Sequence, residues 1–209
     1  MRKYLIILPF LFSTYLLSAQ EDKKESIFQP ALIVGFNATQ VNGDNLAGYR
    51  KMGANVGAAA YIHLPKNLSV NFEILYSQKG SKSGTNELFT DNTKTYRSYK
   101  LIMDYVDIPI LLNYHDKDAA IFGIGLVYTN LIRYKEFRGD YEFPSVNPYK
   151  TAGVEFLLNV IFVFKKKIGM NLRYTYSLSN TRKIPTDYPN GTNFTQRNNV
   201  LSLRAMYFF

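Results

Sequence analysis

The sequence predicts an all-β protein, an eight-stranded antiparallel up-and-down transmembrane β-barrel, and three observations carry that expectation. Beyond residue 30, apolar side chains recur at every second position in eight runs, the period of a strand with two unlike faces. The links between the runs alternate strictly between short and long. Glycines gather on the polar face of the runs, where a narrow interior has little room, and bulky apolar residues on the other.

The elements follow in chain order. Met1-Arg2-Lys3 is a short basic stretch, residues 4–17 are apolar, and Ser18-Ala19-Gln20 supplies small residues before a charged run. This is the pattern of a cleavable secretory signal over residues 1–20; the apolar run is shorter than the ~20 residues a spanning helix needs. Residues 21–30 read as a short periplasmic segment, and residues 31–209 as the barrel domain. The eight runs span approximately residues 31–40, 51–64, 68–80, 99–115, 119–132, 149–164, 168–180 and 198–209. The seventh is the cleanest: Ile168, Met170, Leu172, Tyr174 and Tyr176 alternate with Gly169, Asn171, Arg173, Thr175 and Ser177.

The connections near 65–67, 116–118 and 165–167 are tight, whereas those near 41–50, 81–98, 133–148 and 181–197 are long and polar or Tyr-rich. Short turns on one side and long loops on the other, with an even strand count, are the layout of a small outer-membrane barrel with its short turns in the periplasm. Gly35, Gly57, Gly123, Gly125, Gly153 and Gly169 fall on the polar face, while Phe36, Val56, Phe72, Ile108, Ile124, Phe156, Leu172 and Leu203 suit lipid. A lipocalin-type soluble barrel would turn the apolar face inward around a ligand.

Composition agrees with this frame. The chain has 209 residues, 46% hydrophobic and 15% aromatic, sized for one domain. Closing a barrel pairs every backbone N–H and C=O between strands, so only half the residues need be apolar for the chain to enter a membrane. The 17 Tyr and 15 Phe fit interfacial girdles. The absence of Cys excludes disulfides, thiolate metal sites and a cysteine nucleophile. The net charge of +9, which falls to +7 once Arg2 and Lys3 leave with residues 1–20, is scattered and forms no nucleic-acid-binding stripe.

Several segments carry a family resemblance. Tyr105-Val106-Asp107-Ile108-Pro109-Ile110-Leu111-Leu112, the preceding Tyr76-Ser77-Gln78-Lys79-Gly80, Gly153-Val154-Glu155-Phe156, Leu172-Arg173-Tyr174-Thr175-Tyr176-Ser177-Leu178 and the terminal Met206-Tyr207-Phe208-Phe209 resemble, in their order, the PorT-like outer-membrane β-barrel family. The resemblance implies an eight-stranded barrel in the outer membrane of a Gram-negative bacterium. The barrel-assembly machinery would insert it through its terminal aromatic strand, with Tyr207 and Phe209 as the signal. Some members of that family take part in protein secretion.

Parity places Glu73, Asp107, Glu155, Arg173 and Arg204 on the inward face. Glu73, Arg173 and Arg204 each lie about five residues from a periplasmic turn or the C-terminus, so they are expected to share a layer. Arg173 is expected to reach Glu73 and Arg204 to reach Asp107, with Glu155 on the strand beside Arg173. An ion or proton pathway and a salt-bridge plug are the two readings; a ring of this strand number is filled by its own side chains, which favours the plug. His63 and His115, next to the periplasmic turns, are the only imidazoles, and parity brings neither to a Ser-and-acid constellation. No catalytic residue, metal site or cofactor is expected. Lys165-Lys166-Lys167 reads as a solvated turn.

The expected binding surface is the long loops, where Arg133, Lys135, Phe137, Arg138, Tyr141, Phe143, Tyr149, Arg182, Lys183, Tyr188, Phe194 and Arg197 mix cations with aromatics. Such a rim suits phosphates of outer-leaflet lipopolysaccharide, or a surface protein partner. The function expected is a structural or binding barrel without catalysis. An accessory component of a secretion or transport system is the alternative, and a soluble lipocalin-like ligand-binding barrel the outsider.

Overall fold

A computed structural model describes residues 27–209 except 45, 47, 85–88, 92, 93, 97, 118, 145, 146, 165, 166 and 185–193. The expected signal segment, Asp118, Lys165, Lys166 and Tyr188 lie outside the described residues. Eight long strands make the wall: β1 Phe28–Asn42, β2 Lys51–Leu64, β3 Leu68–Lys82, β4 Tyr99–Asp116, β5 Ala120–Arg138, β6 Ala152–Phe164, β7 Ile168–Ser177 and β8 Phe194–Phe208. Each pairs antiparallel with the next, and β1 pairs with β8 from Ala31↔Phe208 to Asn42↔Arg197, which closes the ring and leaves no edge.

The tight ends follow local chemistry. Lys66 and Asn67 both take positive φ, 65° and 59°, to turn β2 into β3, and Lys117 takes 45° between β4 and β5. At the other end the strands run beyond the expected limits. Residues Tyr141–Phe143 fold back onto β5, Arg182–Ile184 pair with β8, and Phe89–Asp91 pair with Lys94–Tyr96 in a separate hairpin. β5 therefore reaches Arg138, six residues past the expected end at 132, and much of the link expected over 133–148 is wall. The cause is a bulge: Tyr105 pairs with Leu131 but Asp104 with Arg133, so Ile132 is an extra residue. Inward parity passes from Leu131 to Tyr134 and Glu136, and the alternation that marked the run breaks there.

The faces are opposite to those of a soluble protein. Leu32, Phe36, Ile74, Ile110, Ile124, Phe162 and Leu172 point outward, each 44–60% exposed, while Asn37, Asn71, Glu73, Asn171, Arg173 and Arg204 are buried within. Apolar outside and polar inside is the arrangement for lipid, so the soluble ligand-binding barrel falls away. Gly125 shows how tight the wall is: a Cβ there would run into Ile110 O and the Leu111 Cα of the adjoining strand, and one at Gly35 into Leu203 O and the Arg204 Cα. At these two positions neighbouring backbone, as well as the narrow lumen, dictates glycine.

Candidate functional site

The lumen is filled in layers, and strand parity decides what enters each. At the tight-turn end Ala31, Ile33, Ala59, Tyr61, Ile121, Ile161, Met206 and Phe208 form an apolar plug, with Tyr61 edge-on to Phe208 at 5.5 Å between ring centroids. Above it lies the layer expected from counting. Arg173 donates two hydrogen bonds to Glu73, NH1 to Oε2 at 2.9 Å and NH2 to Oε1 at 2.7 Å. Arg204 NH1 donates to the same carboxylate at 3.1 Å. Asparagines complete the network: Asn159 Oδ1 accepts from Asn171 at 2.7 Å and Arg173 Nε at 3.1 Å, Asn171 Oδ1 accepts from Arg204 Nε at 2.7 Å, and Asn71 donates to Glu73 at 2.9 Å.

The expected contact between Arg204 and Asp107 does not form. Asp107 and Glu155 each lie nine residues from the tight-turn ends of their strands, a full layer higher than Arg204, and both take Lys79. Its ammonium lies 3.0 Å from Asp107 and 2.7 Å from Glu155, and 4.8 Å above the Tyr105 ring. Ser177 Oγ donates to Glu155 at 3.0 Å. Sequence reasoning missed Lys79, although it has the parity of Glu73 and Ser77 on the same strand. The two layers hold three cations, Arg173, Arg204 and Lys79, against three carboxylates, Glu73, Asp107 and Glu155, so the formal charge balances. A cavity of about 10 Å³ between them, lined by Asn37, Ser77, Lys79, Asp107, Glu155 and Arg173, has room for one water.

At the end opposite the tight turns, the lumen is lined by residues expected on an open surface. Arg182 is buried, donates to Tyr149 OH at 2.8 Å, sits 3.4 Å from Glu136 and stacks 4.8 Å over the Tyr149 ring. Tyr149 is itself buried and meets Tyr134 edge-on at 5.0 Å. Burial raises the Tyr149 phenol to about 12, against the opposing pull of the Arg182 charge. The expected rim thus separates into two faces. Arg133, Lys135 and Phe137 share the outer side of β5. Arg138, Tyr141 and Phe143 take the inner parity, with the Arg138 guanidinium 4.2 Å over the Phe143 ring and Tyr141 77% exposed above it. Lys183 lies on the short strand beside β8, Phe194 opens β8, and Arg197 donates to Asn180 at 3.1 Å.

At the mouth beside the tight turns His63 and His115 stand with ring centroids 5.3 Å apart in a cavity of about 180 Å³. His115 Nε2 shares a 2.7 Å hydrogen bond with Ser69 Oγ, contributed by β3, which runs between the strands carrying the two histidines. Ser69 is wholly buried, so this contact anchors the imidazole rather than presenting a hydroxyl to a substrate. His63 shares a 3.1 Å bond with Gln29. Among the described residues no group of three His, Cys, Asp or Glu is arranged to hold a metal ion.

Solved structures share this architecture. The chain is similar to Ail, the attachment invasion locus protein of Yersinia pestis, at 10% identity and a TM-score of 0.52, covering 87% of this chain and 98% of that one. It is similar to Neisserial surface protein A at 12% identity and a TM-score of 0.53, covering 88% and 98%. At such identities the likeness is one of fold. No curated protein matches the sequence. The family described as outer membrane protein beta-barrel domain matches residues 18–183. With its lipid-facing apolar wall, closed eight-stranded ring and that match, this outer-membrane chain belongs to the outer membrane protein β-barrel domain family.

Proposed function

We propose that the chain is a non-catalytic surface-binding barrel, exported by a cleaved signal over residues 1–20. It is closed through its lumen, needs no cofactor, and meets its ligands at the extracellular rim. The observation that carries this reading is the contrast between the two parts of the molecule. The lumen is packed and charge-balanced across two ion-pair layers, whereas β5 and the short strand Tyr141–Phe143 beside it extend past the apolar belt and hold Arg133, Lys135 and Tyr141 at the surface. A rigid wall that lifts chemically mixed side chains away from the membrane is a platform for binding outer-leaflet lipopolysaccharide or a surface partner. The order of the sequence motifs supports a PorT-like branch. The edge-on pair Tyr207 and Phe209, 5.1 Å apart at the end of β8, suits recognition by the insertion machinery.

Replacing residues 140–147 by a short Gly/Ser link is expected to leave heat-modifiable migration intact, since that segment lies outside the eight-strand ring. Surface association, read by cross-linking on intact cells, is expected to fall. The Tyr149→Ala variant removes a buried part of the mouth and is expected to lower barrel stability instead. Unchanged cross-linking after the rim is trimmed contradicts the surface-binding reading. Exported proteins held back in cells lacking the chain establish the secretion-accessory alternative in its place.

A further inference from the structure

One cluster of charge lies outside the lumen and outside the loop tips. On the outer face of β3, β4 and β5, at the end of the apolar belt, successive ladder rows bring cations together. In the first row Gln78 stands opposite Asp104, and Asp104 opposite Arg133. Tyr76 OH and Gln78 Nε2 each donate to Asp104 Oδ1 at 2.9 Å, and Arg133 donates through Nε at 2.8 Å and NH2 at 2.6 Å to Oδ2. The Asp104 side chain is 4% exposed and that of Arg133 61%. The guanidinium is therefore fixed at one edge and keeps its remaining donors outward. In the next row Lys135 pairs with Glu142 at 2.8 Å.

The row above has no such balance. Lys82 and Lys100 stand directly opposite each other across the β3–β4 ladder, both exposed, and among the described residues neither has a carboxylate partner. Like charges directly opposite destabilise a sheet. Lys51, buried at the edge of this patch, donates from its ammonium to Gln78 Oε1 at 3.1 Å and lies within electrostatic reach of Lys82, Lys100 and Asp104. On the outer face four cations thus meet two carboxylates, each already held by a single cation, which leaves Lys82 and Lys100 without a counter-charge among the described residues.

Position selects the anion. From Tyr114, at the periplasmic end of β4, to Asp104 is ten residues, ~25 Å of height at ~3.3 Å per residue and a ~40° tilt, which matches the apolar band of such barrels. The cluster starts where outer-leaflet headgroups begin, on the wall that faces neighbouring lipid. A guanidinium fork and lysine point charges are the donors suited to phosphate. We propose that Lys82, Lys100 and Arg133 bind the phosphate groups of an outer-leaflet glycolipid that docks against the barrel wall. The inference rests on the reading above that the short turns face the periplasm.

The test is native mass spectrometry of the full chain in mild detergent, titrated with bis-phosphorylated lipid A, dephosphorylated lipid A, phosphatidylglycerol and inorganic pyrophosphate. Tightest binding of the phosphorylated glycolipid is expected, with at least a tenfold loss in Lys82→Gln/Lys100→Gln and a smaller loss in Arg133→Gln. Heat-modifiable migration is expected to persist in both variants. Equal binding of dephosphorylated lipid A, equal binding of phosphatidylglycerol, tighter binding of pyrophosphate, or no loss in the variants would overturn the site. Labelling of Tyr141→Cys on intact cells reads the orientation separately. Unlabelled cells overturn the extracellular placement and the surface-binding reading with it; labelled cells without phosphate-dependent binding overturn this site alone.

Discussion

Replacing Glu73 with Gln is expected to cost the barrel ~3–5 kcal/mol, measured by reversible unfolding in detergent or lipid, because one carboxylate serves two buried guanidiniums. Without it Arg173 and Arg204 face each other in a buried layer with asparagine oxygens as their remaining acceptors. Arg173→Met is expected to cost less, since Arg204 still holds Glu73. The pair should be coupled in a double-mutant cycle by well over the ~0.5 kcal/mol of ordinary additivity error. Coupling within that error contradicts a closed layer and leaves the groups hydrated and independent.

Leu172→Arg is expected to be the next most damaging change, at ~2–4 kcal/mol, because it places a charge near mid-height on the lipid face. The proper comparison is Thr175→Val, an inward substitution of similar shape whose cost should be far smaller. The nearer lumen residue, Asn171, is not a neutral control: it is fully buried and accepts from Arg204 Nε, so Asn171→Leu breaks the ion-pair layer. Equal costs for Leu172→Arg and Thr175→Val would reverse the assignment of faces.

Parity made the wall legible from sequence alone. It put Leu172 outside and Arg173 inside, and counting from the turns brought Glu73, Arg173 and Arg204 to one height, where the structure joins them. The same counting carried further would have raised Asp107 and Glu155 above Arg204 and admitted Lys79. The failure was to pair Arg204 with Asp107 without comparing their heights, in a tilted ring where four residues along a strand separate two layers. Beyond Leu131 parity stopped being informative, since the extra residue Ile132 moves the inward set from odd to even positions. A bulge leaves no composition signal, so Arg133 and Lys135 were grouped with Arg138 although the wall separates them. Arg182 was misplaced for another reason. Its burial depends on Tyr149 and Glu136, distant in sequence, and no local pattern announces such a contact. Ser69 reached His115 by the same kind of long-range placement.

Two ion-pair layers and an apolar plug fill the middle of the ring. Planar-bilayer recording of the purified full-length protein tests it most directly. A filled lumen predicts no stable conductance across the voltage range in which the bilayer itself holds; a steady, reproducible open level from the intact protein would contradict it.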